Sequence, residues 1–127
     1  MLYAMGAGPQ VVAVSSYDEF PPEVKALPKV GALLDPDTER IISLKPDLLI
    51  TYGSQVDLQA QMKRAGIATF DYRHAGLAHI LATITDLGAR TGHGREAGQV
   101  VAAIEGRLAA VRARVAGRRR PRTLLVF

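Results

Sequence analysis

Residues 47–51, Asp-Leu-Leu-Ile-Thr, form an almost unbroken apolar run that opens directly after Lys45-Pro46 and closes on Tyr52 and a Gly53-Ser54 turn. A strand with one wet face alternates apolar with polar residues. A strand covered on both faces does not, and that coverage belongs to parallel sheets whose crossover helices lie above and below. Pro46 ends any helix before it, because its ring removes a donor and clashes with the preceding turn. The run therefore demands a buried parallel strand, and the rest of the chain must supply helices and neighbouring strands for it.

Those parts can be read off in order. Gln10–Ser15 (QVVAVS) follows the glycines of Met5-Gly6-Ala7-Gly8 and reads as a second buried strand, and Ile67–Tyr72 as a third. Pro21-Pro22 forces extended or turn backbone, with one helical turn able to start after it. Residues 29–36 look like a loop with a brief strand at Val30, and Asp35 or Asp37 can cap a helix carrying Ile41, Ile42 and Leu44. Leu58, Met62 and Ala65 recur at helical spacing before Gly66, which suits a C-terminal cap. Leu77, Ile80, Leu81, Ile84 and Leu87 mark the next helix, whose end Gly88 and Gly92 are expected to loosen.

The longest periodic segment comes last. From about Arg95 to Ala116, Val100, Ile104, Leu108, Val111 and Val115 keep one face apolar, and at about 1.5 Å per residue the rod is roughly 33 Å long. Gly117–Arg122 breaks it, and Thr123–Phe127 reads as a strand. The expected class is α/β: a Rossmann-like parallel sheet flanked by helices, then a long helix and one orphan strand. An apolar strand with nothing to pair with is a liability. Pairing with a second copy through exposed strand edges, giving a homodimer, is one expected way to cover it.

Composition removes whole classes of function. With 127 residues the chain can bury one modest core, and 48% hydrophobic with 22% charged residues is ordinary for a globular protein. Having no cysteine, it can form neither disulfides nor thiolate metal sites. No apolar run is long enough to span a bilayer, and Met1–Gln10 lacks the pattern of a signal peptide, so export of the chain as it stands is not expected. The net charge of +4 divides into −3 over residues 1–89 and +7 over 90–127. That basic third holds no aromatic residue before Phe127 on which a base could stack, so no nucleic-acid partner is expected.

Three stretches together, "VVAVSSYDEFPPEVKALPKVG", "DTERIISLKPDLLITYG" and the long final helix, resemble the N-terminal lobe of a family of substrate-binding proteins. These serve ABC importers of vitamin B12, haem and iron-siderophores, and the likeness is nearest to the B12-binding type. The resemblance implies two α/β lobes joined by one stiff helix, with the ligand between them. Residues 1–93 would be the N-terminal lobe, 94–117 the inter-lobe helix, and 118–127 the crossover and first strand of a second lobe. Most of that lobe, an export signal and a strand before "MLYAMGAG" would then lie outside this chain, and the parent would be periplasmic or lipid-anchored.

The candidate site follows from both lines of reasoning. Ligands of open parallel sheets sit beyond the carboxyl ends of the strands, where Tyr17 and Tyr52 are expected on one rim beside Gly53 and Ser54. Each tyrosine offers a flat apolar face and a hydroxyl to a large planar ligand. The resemblance implies ligand contact at Tyr17 and Tyr52, and at Leu33, where B12 binders carry a tryptophan. It also implies that Glu39 docks to arginines of the membrane permease. His74, after the third strand, is a candidate axial donor to a chelated metal. His74, His79 and His93 share no helix face, so a metal held by the protein alone is not expected. No phosphate loop or nucleophile–histidine–acid order is present, which points away from catalysis. The alternative readings are a small α/β enzyme or nucleotide-binding regulatory module using the same strand ends, and a non-binding truncated fragment that dimerises. Nothing calls for a built-in cofactor; the expected ligand is cobalamin or another large metal chelate.

Overall fold

The structure, a computed structural model, describes residues 1–126. Strand β1 (Leu48–Tyr52) runs parallel to β2 (Ala68–Tyr72), with Leu48 opposite Ala68 and Tyr52 opposite Tyr72. Helix α1 (Thr38–Ser43) precedes β1, and α2 (Val56–Arg64) makes the crossover to β2. Of the two possible caps, Asp37 is the one used: its carboxylate accepts the Arg40 N–H at 2.9 Å. Lys45 adopts a left-handed backbone (φ 48°) between the end of α1 and Pro46, so the chain turns sharply into the strand. Ile41, Leu58 and Met62 make one small core between α1 and α2, extended by Val30, Leu49 and Ile67.

A second core is helical. Helices α3 (Leu77–Thr91) and α4 (Gly94–Val115) enclose Ile84, Leu87 and Ala97 together with Met5 and Ala7 from the N-terminal 3₁₀ turns. Gly88 does not loosen α3, contrary to its reading from the sequence. A Cβ at Gly88 would stand 2.3 Å from the Ala97 Cβ, so the missing side chain is what lets the two helices meet. Gly92, at φ +77°, does end α3. Phe70 of β2 packs on this core while the Arg90 guanidinium lies over its ring at 5.3 Å, which ties the sheet to the helices.

Two expected strands are reduced. Residues 10–15 do not form a buried strand: Gly8–Gln10 is a 3₁₀ turn, and Val14 keeps a single parallel bridge to Lys29. Val12 is half exposed, and without a strand to pair with, the β-rich composition cannot build a ladder. The expected terminal strand is likewise absent from residues 121–126, which are exposed and unpaired; Phe127 lies outside the described residues. Helix α4 is covered unevenly. Val100, Val101 and Ile104 pack on the helical core, whereas every described residue from 109 onward is exposed.

Candidate ligand-binding rim

Parallel, in-register pairing brings the carboxyl ends of β1 and β2 to one edge of the molecule. Tyr52 and Tyr72 end their strands as register partners, and their rings meet edge to face with centroids 5.8 Å apart. The Tyr72 hydroxyl is 3.2 Å from Nδ1 of His74. On the opposite face of the sheet from the rings, the Gln59 amide donates to the buried Thr51 hydroxyl at 3.0 Å and to Asp71 at 3.4 Å. Asp71 accepts from Arg73 at 2.9 Å. Gly53 donates its N–H to the Tyr72 carbonyl, and a Cβ there would approach Asp71 and Arg73 to 3.3 and 3.4 Å.

One side chain extends the rim to its neighbouring loop. Gln55 accepts the Tyr52 N–H at 2.9 Å and donates to the Leu33 carbonyl at 3.1 Å. The Leu33 loop is pinched at its base, where Ala32 donates to the Asp35 carbonyl and Asp37 to the Val30 carbonyl. Gly31 makes that neck possible: φ is +83°, and a Cβ would fall 2.3 Å from the Asp35 carbonyl oxygen. The Gly31 carbonyl in turn accepts the Ser16 N–H at 2.7 Å, which fastens the Tyr17 loop alongside. That loop is closed by Asp18, whose carboxylate accepts the Ser15 N–H.

These contacts form a series from the Tyr17 loop through Gly31, Leu33, Gln55, Tyr52 and Tyr72 to His74. Tyr17 is 84% exposed, Leu33 47% and Tyr52 40%, with Phe20 and Leu34 bare beside them. An edge so rich in exposed apolar surface is more than scattered single residues produce. The ring that Tyr52 meets is that of Tyr72; Tyr17 reaches the rim only through its loop. Sequence reasoning missed Tyr72 and Gln55. Tyr72 had a signal, since both tyrosines close strand-like runs of matching length. Gln55 had none.

Glu39 is exposed in the first turn of α1. Among the described residues the ion pairs are Arg73–Asp71 and Arg95–Glu96, so Glu39 pairs with neither Arg40 nor Lys63. His93 is occupied locally, its Nδ1 lying 2.9 Å from the Thr91 carbonyl between α3 and α4. No three His, Asp or Glu side chains among the described residues are grouped to hold a metal ion. Two open grooves run along the helices. One, of about 390 Å³, runs between α3 and α4 and is lined by Leu77, Leu81, Leu108 and Arg112. The other, of about 610 Å³, follows α2 and the start of β2. We place the candidate site at the rim, where exposed aromatic and apolar side chains gather at the strand ends.

A parallel sheet whose strand tips carry an apolar, aromatic rim defines a class of ligand-binding α/β proteins, and comparison with known sequences narrows it. The family model described as periplasmic binding protein matches residues 1–127, and the chain belongs to that family. It is 36% identical over 104 residues to the uncharacterized ABC transporter substrate-binding lipoprotein YvrC of Bacillus subtilis, covering 78% of this chain and 33% of that one. It is 31% identical to the vitamin B12-binding protein of Salmonella typhimurium, over 98% of this chain and 47% of the relative. Among solved structures, the periplasmic vitamin B12 binding protein BtuF of Vibrio cholerae superposes with a TM-score of 0.81 at 28% identity, covering 91% of this chain and 46% of that one. Solved haem- and siderophore-binding proteins share the fold. The chain spans about half the length, or less, of the curated relatives it matches.

Proposed function

We propose that the chain forms one wall of an extracytoplasmic receptor of an ABC importer, capturing a large metal chelate and handing it to a membrane permease. Residues 1–93 act as the N-terminal lobe, 94–117 as the stiff inter-lobe helix, and 118–127 as the entry to a second lobe. The rim carries this reading: Tyr17, Leu33, Tyr52, the Gly53-Ser54 turn and His74 lie on loops and strand ends linked by hydrogen bonds, presenting apolar and aromatic surface at the strand tips. The bare second half of α4, with Val111 and Val115 each 54% exposed, supports its role as a connector with more protein to cover. Cobalamin is the first candidate ligand, in line with the vitamin B12-binding proteins among the relatives, and haem and ferric siderophores follow. Leucine at position 33 offers apolar contact without the stacking of an aromatic ring.

No bond is made or broken in this role. Binding comes from desolvating the rim against a flat chelate, and the stiff helix restricts opening to a small angle. Glu39, exposed and unpaired, is the docking carboxylate, setting orientation and encounter rate at the permease more than affinity. Absorbance titration with cyanocobalamin, haemin and a ferric siderophore tests the reading. At least one should bind, weakly if only half the cleft is supplied. Tyr52→Ala should weaken that binding about tenfold, or roughly 1.4 kcal/mol. Failure of all three to perturb either ligand or protein spectra would reject it.

A further inference from the structure

We propose that Gln55 is the positioning residue of the rim: its carboxamide locks the Leu33 loop to the end of β1, so that Leu33 and Tyr52 meet a ligand as one surface of fixed spacing. The inference rests on the chelate-receptor reading and deepens it.

The lock needs an acceptor and a donor on one short planar group. Gln55 Oε1 accepts the Tyr52 N–H at 2.9 Å, and Gln55 Nε2 donates to the Leu33 carbonyl at 3.1 Å. A carboxamide supplies both, whereas an ionised carboxylate can only accept and an ammonium can only donate. The amide is aimed by its own backbone. Gln55 donates its N–H to the Tyr52 carbonyl at 2.9 Å, and its carbonyl accepts the Gln59 N–H at 3.0 Å at the start of α2. Strand and helix therefore hold the residue from both sides while Nε2 reaches across to the loop.

The loop depends on that reach. Its neck is closed by the bonds from Ala32 to the Asp35 carbonyl and from Asp37 to the Val30 carbonyl. Beyond the neck, the hydrogen bond from Gln55 ties the tip to the sheet. Packing adds little, because Leu34 is 94% exposed and Leu33 half exposed. A ligand that covers Leu33 and Tyr52 together binds best when their spacing is set before it arrives, since ordering a loose loop subtracts from affinity. Gln55 touches no ligand in this role and acts through Leu33.

The two halves of the amide are separable by substitution. Gln55→Glu keeps the acceptor for Tyr52, loses the donor to Leu33 at neutral pH, and regains a donor when the carboxyl is protonated. Gln55→Ala loses both at every pH. Amide exchange of residues 30–37, followed by mass spectrometry, should be faster than wild type in both variants at neutral pH, with α3 and α4 unchanged. At about pH 4, compared with wild type at the same pH, Gln55→Glu should return toward wild type and Gln55→Ala should not. Absorbance titration at neutral pH with cyanocobalamin and haemin should show Gln55→Glu weakening binding roughly two- to tenfold, the worth of one hydrogen bond. That loss should vanish in a Leu33→Ala background, because the two changes remove the same contact. Exchange equal to wild type in Gln55→Glu at neutral pH overturns the inference and leaves the receptor reading standing. So do faster exchange with unchanged binding, and losses that add when Leu33→Ala is combined. If wild type binds neither chelate, the receptor reading falls and the binding role of Gln55 falls with it.

Discussion

The two halves of α4 share one helix and differ in everything that tertiary structure adds. Its first half buries Ala97 completely and sets Val100, Val101 and Ile104 against α3 and the N-terminal turns. Its second half carries the same spacing of apolar residues, yet Val111 and Val115 stand exposed. Helical periodicity therefore records which face is meant to be covered, and not whether a cover is present in the same chain. An isolated helix gains little from propensity alone, so the stability of the bare half is borrowed from the packed half through helix continuity.

Substitutions can break that contrast or sharpen it. The largest effect is expected in the packed half's core. Leu87→Ala removes a buried side chain beside Ala97 and should cost about 2–5 kcal/mol, seen as a lower midpoint in urea unfolding. Gly88→Ala comes next, because the new methyl would meet the Ala97 Cβ at 2.3 Å and must push α3 and α4 apart. A loss of about 1–3 kcal/mol is expected, and a neutral result in the same assay would mean the helices do not depend on that close approach. Val111→Ala and Val115→Ala should change stability by no more than about 0.5 kcal/mol. A larger loss in the isolated chain would show that something covers the second half, such as a second copy, and light scattering would then reveal a dimer.

The smallest effect lies at the start of α4. Arg95 donates a side-chain hydrogen bond to Glu96, and this contact holds the carboxyl below its ordinary value of 4.5, with the residue's own backbone N–H assisting. A carboxyl whose value is lowered in the fold stabilises it above the unfolded value and stops doing so as pH falls through the lowered one. Thermal melts of wild type and Glu96→Gln should therefore differ slightly at neutral pH and converge in acid. Divergence on acidification would refute the sign.

What could be read from the sequence divides along physical lines. β1 was legible because an unbroken apolar run after Lys45-Pro46 has few other uses, and α2, α3 and α4 because a 3.6-residue period is a local signal. Residues 10–15 carry the same composition as a strand, but strand identity is settled by a neighbour, and Val14 finds only Lys29. Residues 123–126 fail for the same reason. Gly88 was misread because its role depends on Ala97 across a helix crossing, which no window of sequence displays. At the rim, Tyr52 announced itself by its place at the end of a strand. Gln55 could not, since its two hydrogen bonds reach a strand and a loop that only the fold brings together.

Gly31 has a consequence for how this loop can diverge. Because the neck it forms is closed by backbone hydrogen bonds, and the loop beyond is held to the strand end by Gln55 through the Leu33 carbonyl, the side chains of residues 32–34 take no part in fastening it. Their side chains can change without disturbing the strands below, so the surface this loop offers can vary while the scaffold stays the same. Position 31 itself is closed to that exploration.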